Sequence, residues 1–289
     1  MIDKKDIYPL GIGTFKLDLS NRENSSKSLL YSFNNGQNFI DTSHLYDSGA
    51  NIAFLADFFK IIDREKIFII TNIEKFVEKS EDIENQLDSY LKLMRLDYVD
   101  CLQLHEPAVT KIPLLETFES MNQMVKKGKT RFLGASNLNF EDLRLIHDNF
   151  KLFHFSGVFN LECKVYEKIG VLDYCAENDI LFIAYQALRR NRTADRNYPI
   201  LVDLSQKYGK TQNQIILNWI VKEKKISPFI KAGTIENIKE NLAALDFEID
   251  KSDIEKLNNF QSQEFESVNI DWKNTGEGIV IHQLPNQFK

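Results

Sequence analysis

Short runs rich in Ile, Phe, Val and Leu recur along this 289-residue chain, each followed by a longer segment with helical periodicity. They are NFIDTS (38–43), IFIITNI (67–73), YVDCLQLH (98–105), TRFLGAS (130–136), GVFNLE (157–162), ILFIAYQ (180–186) and PFIKAG (228–233). Their starts lie 29, 31, 32, 27, 23 and 48 residues apart. Alternation on this scale is the signature of repeated βα units around a parallel sheet. Runs this continuously apolar suit strands covered on both faces.

The intervening helices are legible. SEDIENQLDSYLKLMR (80–95) opens with Ser80, carries acids in its first turn and ends with Lys92 and Arg95, as the helix dipole prefers. Its Ile83, Leu87, Leu91 and Met94 fall on one helical face. LLETFESMNQMVKKG (114–128) ends on a basic turn and a stop glycine, Gly128.

Seven runs leave a ring one strand short. PLGIGTF (9–15) supplies the eighth, which predicts a (β/α)8 TIM barrel: a parallel eight-stranded barrel with outer helices. An open doubly wound sheet is the alternative. It lacks support at the first strand–helix turn, where Gly11-Ile12-Gly13-Thr14 holds only half of a dinucleotide fingerprint. No linker or low-complexity segment interrupts the pattern, so residues 1–289 read as a single domain. The rhythm is lost from about 261, and 261–289 reads as a C-terminal tail packing on the barrel, either over its mouth as a lid or around its outside.

Composition excludes several classes. The 36 basic and 42 acidic residues give a net charge of −6, against a phosphate-binding nucleic-acid surface. No apolar run reaches the length needed to span a bilayer, and the first residues lack a secretory leader's apolar core. Cys101, Cys163 and Cys175 lie in apolar stretches with no CxxC and no His/Cys cluster. Reduced thiols and a cytoplasmic location are expected, with no metal site.

In such a barrel, functional groups sit at the C-terminal ends of strands. Asp41, Asn72, His105, Ser136, Asn137, Asn160, Tyr185 and Lys231 all fall at or near such ends. Polar residues also cap strands for no functional reason; it is the number of ends so occupied that suggests a site. His44 reads as a solvent-facing loop residue, and His147, His154 and His282 show no partner in the sequence.

The chain resembles the aldo-keto reductases over about residues 9 to 260. FIDTSHLY (39–46) is similar to that family's Asp-Thr/Ser-x-x-x-Tyr signature, and LRLDYVDCLQLHEP to its Leu-Asp-Tyr-Val-Asp…His-x-Pro stretch. VKKGKTRFLGASN resembles Gly-Lys-x-Arg-x-x-Gly-x-Ser-Asn, LGIGTF the opening strand, and KTQNQIILNW a later Lys-Thr-x-x-Gln-x-x-Leu-x-Trp. The resemblance implies a barrel binding NADP(H) in an extended pose and reducing a small-molecule carbonyl substrate, usually as a monomer. It also implies a tetrad of Asp, Tyr, Lys and His. Asp41, Tyr46 and His105 match three members, as carboxylate, proton donor and carbonyl orienter. The lysine position is Asn72.

Asparagine brings no positive charge. A neighbouring ammonium lowers a phenol's pKa, and a buried carboxylate without a counter-ion is costly and tends to hold its proton. Three readings stay open: Lys75 folds back to replace the lysine; Tyr46 acts mainly as an acid with His105 sharing the work, on an easily reduced carbonyl or in a redirected reaction; or the protein binds cofactor without turnover, in a regulatory role.

For the cofactor, the resemblance implies Gly13, Thr14 and Asp41 at the opening strands, and Ser136, Asn137 and Asn160 at the nicotinamide carboxamide. It implies Tyr185 under the ring, with Gln186 and Leu188 following. Lys231, Thr234, Asn237, Glu240 and Asn241 take the adenosine-phosphate end. Asn237 stands where the family has an arginine, so NADP(H) is favoured on Lys231 alone and NAD(H) is the alternative.

Overall fold

The computed structural model describes residues 2–262 apart from Lys75 and Ala232. Eight parallel strands close into a barrel: β1 (Gly11–Gly13), β2 (Phe39–Thr42), β3 (Phe68–Ile73), β4 (Val99–Leu104), β5 (Thr130–Ser136), β6 (His154–Val158), β7 (Leu181–Tyr185) and β8 (Ser227–Lys231). β1 closes the ring by pairing with both β2 and β8. Helices fill the connections, and the long one before β8 holds Pro199–Tyr208 and Gln212–Asn218. None of the helices among the described residues is long and apolar enough to cross a membrane.

The two helices read from the sequence form over Glu81–Met94 and Leu114–Lys126. The second ends in a Schellman motif: Gly128 at φ 72° donates its N–H to the Val125 carbonyl, and Lys129 donates to that of Met124. Ser80 does not cap the first. Its hydroxyl donates to Glu116, while the Asp82 carboxylate accepts from the N–H groups of Glu78 and Lys79.

The lower barrel interior is aromatic. Phe153 lies between Phe68 and Phe132, with centroids at 4.8 and 4.6 Å, and Phe39 meets Phe229 at 5.1 Å. Gly11 makes that pair fit, since a Cβ there would stand 2.5 Å from the Phe39 ring and 2.6 Å from Phe229. Where the strands begin, Asp100 is held between Arg64 and Arg131 and also accepts the Ile69 N–H. The lower half is thus sealed, and the open end lies where the strands finish.

One strand departs from expectation. The sixth begins three residues earlier than its apolar run suggests and ends at Val158, not Glu162. Asn160 causes the stop. Its Oδ1 accepts the N–H groups of Glu162 and Cys163, folding Phe159–Cys163 into a turn. The three cysteines are buried free thiols. The tail expected over 261–289 lies outside the described residues beyond Ser262, as do His282 and Lys75.

Candidate active site

A cleft of about 1350 Å³ opens at the C-terminal ends of the strands. Asp41, Tyr46, Asn72 and His105 line its floor. Asp41 is the third residue of β2, and Tyr46 starts the turn just beyond that strand. The Tyr46 hydroxyl donates to Asp41 Oδ2 at 2.8 Å. Asn72, on β3, points its Nδ2 at two acceptors, Asp41 Oδ1 at 3.3 Å and the Thr42 carbonyl at 3.2 Å. The phenol, the acid and the amide therefore converge.

Among the described residues no ion pair reaches Asp41. Burial pushes its carboxyl up to about 6, against the opposing pull of the hydrogen bonds from Tyr46 and Asn72. Burial, and then the Asp41 charge, push the Tyr46 phenol well above its usual value. A second acid stands behind them. Glu74 accepts from the Ser43 hydroxyl and the Leu45 N–H, and burial raises it to about 7. It holds the turn that presents Tyr46. Sequence reasoning missed it, although its place one residue past β3 was a signal.

His105 follows β4 and lines the cleft; its carbonyl accepts Asn137 Nδ2 at 2.9 Å. Asn137, at φ 61°, also donates to Ser136 Oγ and accepts the Tyr185 hydroxyl. Ser136 and Tyr185 face the cleft, while Asn137 is spent bracing them and is not part of its wall. Asn160 is also absent from the wall: its amide is occupied by the turn after β6 and by the Gln186 carbonyl. Thr14 is fully buried at the cleft edge, donating to the Asp41 carbonyl. Gly13, Gln186, Leu188, Lys231, Thr234, Asn237, Glu240 and Asn241 all line the cleft. Thr234 caps the helix Ile235–Leu242 by accepting the Asn237 N–H, and Glu240 accepts the Thr211 hydroxyl at 2.6 Å.

The cleft is thus built from eight strand ends and has a titrating corner at one end. The family model described as "Aldo/keto reductase family" matches residues 9–261. The chain belongs to the aldo/keto reductase family. Membership makes it a nicotinamide-dependent oxidoreductase. Aldo-keto reductase family 1 member C18 of Rattus norvegicus is 29% identical over 289 residues, spanning 89% of each chain. Member C3 of Homo sapiens is 26% identical over 280 residues, spanning 86% of each. A thermostable aldo-keto reductase solved with the inhibitor epalrestat superposes with TM-score 0.79 at 27% identity, covering 87% of this chain and 94% of that one. A silkworm (Bombyx mori) aldo-keto reductase superposes with TM-score 0.74 at 26% identity, covering 88% and 84%.

Other residues of this reductase cleft had weaker signals. Phe15 meets the Tyr46 ring edge-on at 5.1 Å, and Arg190 crosses from the β7 loop to within 5.3 Å of the Phe15 ring. That loop is anchored by a buried ion pair between Arg189 and Glu162, to which Arg196 adds a contact at 3.3 Å and the Tyr198 hydroxyl one at 3.1 Å. Three histidines depart from expectation. His44 stacks on Tyr90 at 5.4 Å, and His147 accepts the Leu152 N–H at 3.1 Å. His154 is buried, 2.6 Å from Gln103 and 3.4 Å from Cys101.

Proposed function

We propose that this protein reduces a small aldehyde or ketone with NAD(P)H, with Tyr46 delivering the proton and Asp41 replenishing it. The observation that carries this reading is the 2.8 Å contact between Tyr46 and an Asp41 that no cation accompanies among the described residues.

The cleft suits the dinucleotide by its donor set. Ser136, Gln186 and Tyr185 stand near the titrating end, and Lys231 offers an ammonium with Thr234, Asn237 and Asn241 beside it. Those residues would hold the cofactor, which when bound supplies the hydride. Lys231 is a cation suited to the extra phosphate of NADP(H). Asn237 adds no charge, so NADP(H) is preferred over NAD(H) on that single lysine.

The rest is done by the chain. When Asp41 is ionised, Tyr46 donates to it and its proton points away from the cleft. When Asp41 is protonated, the same contact reverses. Asp41 then donates to the phenol oxygen, and the Tyr46 proton is free to face a carbonyl oxygen. As negative charge develops on that oxygen, Tyr46 releases its proton to it and regains one from Asp41. The new carboxylate keeps the Asn72 N–H donor, and solvent returns the proton. His105 lines the same floor and orients the carbonyl. Protonating an alkoxide does not require a phenol of depressed pKa, so the loss of the lysine costs reduction less than alcohol oxidation. The reverse reaction, alcohol oxidation, is correspondingly slow. We further place the protein in the cytoplasm, where its buried free thiols stay reduced, and as a monomer with its cleft open to solvent.

Fluorescence titration with NADPH and with NADH, followed by single-turnover mixing with a reactive aldehyde, tests this. One equivalent of reduced cofactor should be consumed, more slowly as pH rises through about 6. Tight binding without consumption across aldehydes and ketones would instead establish a cofactor-binding regulatory protein.

A further inference from the structure

Asn72 can turn either face of its amide toward Asp41, and only one is useful. We infer that Gln103 and His154 are positioning residues that fix this amide with its NH2 group toward Asp41. They form a chain of side chains reaching across the barrel interior. Gln103 Nε2 donates to Asn72 Oδ1 at 2.5 Å. Gln103 Oε1 lies 2.6 Å from His154 Nε2, and His154 Nδ1 lies 3.4 Å from Cys101 Sγ. All four side chains are buried.

The directions of these bonds are forced. Asn72 Nδ2 faces two oxygens, so it must be the donor and Oδ1 must accept. The donor it accepts from is the Gln103 NH2 group, which leaves the Gln103 oxygen facing His154. That oxygen needs an N–H, so His154 carries its proton on Nε2. Nδ1 then accepts from the Cys101 thiol. Burial holds the imidazole neutral, down to about pH 3, so only one nitrogen bears a proton. A proton on Nδ1 instead would set two acceptors face to face and turn Gln103 over. Asn72 would then meet an oxygen, and the donor on Asp41 would be lost.

Strand register builds the array. Asn72 pairs with Gln103, Gln103 with Gly134, and Gly134 with His154, so the four sit in one layer across β3 to β6. Gly134 has no side chain to intervene. A Cβ there would stand 2.2 Å from His154 Cε1 and 2.6 Å from Nε2. The imidazole occupies that space and reaches Gln103.

The variants Gln103→Met, His154→Phe and His154→Gln test the assignment; the last retains a donor where Nε2 stands. The other titratable groups around Asp41 stay in place: Tyr46 after β2, Glu74 after β3, His105 after β4, Lys16 after β1, Arg190 after β7 and Lys231 on β8. Asp41 is titrated by carboxyl NMR in cofactor-free protein, so the result stands even if the reductase reading fails. Gln103→Met and His154→Phe should raise its midpoint by about one pH unit, the size of one charge-assisted hydrogen bond. His154→Gln should restore it. In the unaltered protein, imidazole nitrogen shifts should show the Nε2–H form. The kinetic arm rests on the reading above: the low-pH plateau of kcat should fall about tenfold with KM unchanged, because a weaker acid donates more slowly. An unmoved Asp41 midpoint in folded variants, or an Nδ1–H imidazole, overturns the assignment.

Discussion

Asp100 and Asp41 are carboxylates set into the same barrel wall at opposite ends, and their surroundings differ in sign. Asp100 meets Arg64 at 2.6 Å and Arg131 at 2.8 Å, and also accepts a backbone N–H. Asp41 meets a phenol and an amide. The first is a charge compensated twice over, and its place near the strand starts is where barrels put stability. The second is a charge that burial disfavours, and it sits where barrels put chemistry. The guanidinium groups fix the Asp100 carboxylate as a structural charge. Asp41, held only by neutral donors, is pushed up by burial to about 6 and can exchange a proton near neutrality, at the cost of destabilising the fold whenever it ionises.

The largest effects break the contrast at its ends. Tyr46→Phe removes the phenol that hands a proton from Asp41 to a bound carbonyl; single-turnover reduction should fall by ~10²–10⁴-fold with little change in thermal midpoint. A retained rate would remove Tyr46 from the mechanism. Asp100→Asn should do the reverse. It leaves two partly buried guanidinium groups short of a counter-ion and costs about 2–3 kcal/mol, read from the urea midpoint, while cofactor affinity holds. If instead affinity fell and stability held, the division between the two ends would be wrong.

A smaller effect sharpens the comparison through pH. The folded Asp41 titrates at about 6, above the ordinary carboxylate value of 3.8. Between those values the native state binds more protons than the unfolded one, so this group's contribution is lost as pH rises from about 4 to about 6. The loss is at most ~3 kcal/mol, from about two units at 1.4 kcal/mol each. His154 opposes it: held down to about 3, it adds stability as pH rises through the same range. The informative quantity is therefore the difference between the unaltered protein and Asp41→Asn. The variant should gain relative stability from pH 4 to 7 in parallel urea titrations. A difference constant with pH would mean that Asp41 titrates normally.

The barrel was legible in the sequence because each strand is a nearly unbroken apolar run; Asp41 and His105 could be picked out near the ends of such runs, while Tyr46 rested on the resemblance carried by FIDTSHLY. What escaped was whatever depends on register. Gln103 and His154 are single polar residues inside apolar runs, 51 apart in sequence, and meet only because Gly134 between them is bare. Asn160 hid a local role inside the run 157–162: its oxygen is consumed two and three residues on, by the N–H groups of Glu162 and Cys163. The same turn displaced the sixth strand. Asn72 stands 3.3 Å from Asp41, and the orientation of its amide could not be read without Gln103.

The smallest effect asks whether Asp41 can be made to resemble Asp100. Asn72→Lys alone would set an ammonium against the Gln103 NH2 group, donor facing donor, because Gln103 now points that group at Asn72 Oδ1. Paired with Gln103→Leu, the lysine is relieved of that conflict and free to reach Asp41 and the phenol. Its charge should lower the Asp41 midpoint below about 6 and make Tyr46 itself the stronger acid. Carbonyl reduction at neutral pH should then rise about tenfold, the worth of one pKa unit, and lose its fall through pH 6. Alcohol oxidation should gain more than reduction, because only that direction needs a phenolate. Rates that hold or drop in a folded double variant would mean that the neutral corner is already the better proton donor, and that the missing cation limits nothing in the direction this protein works.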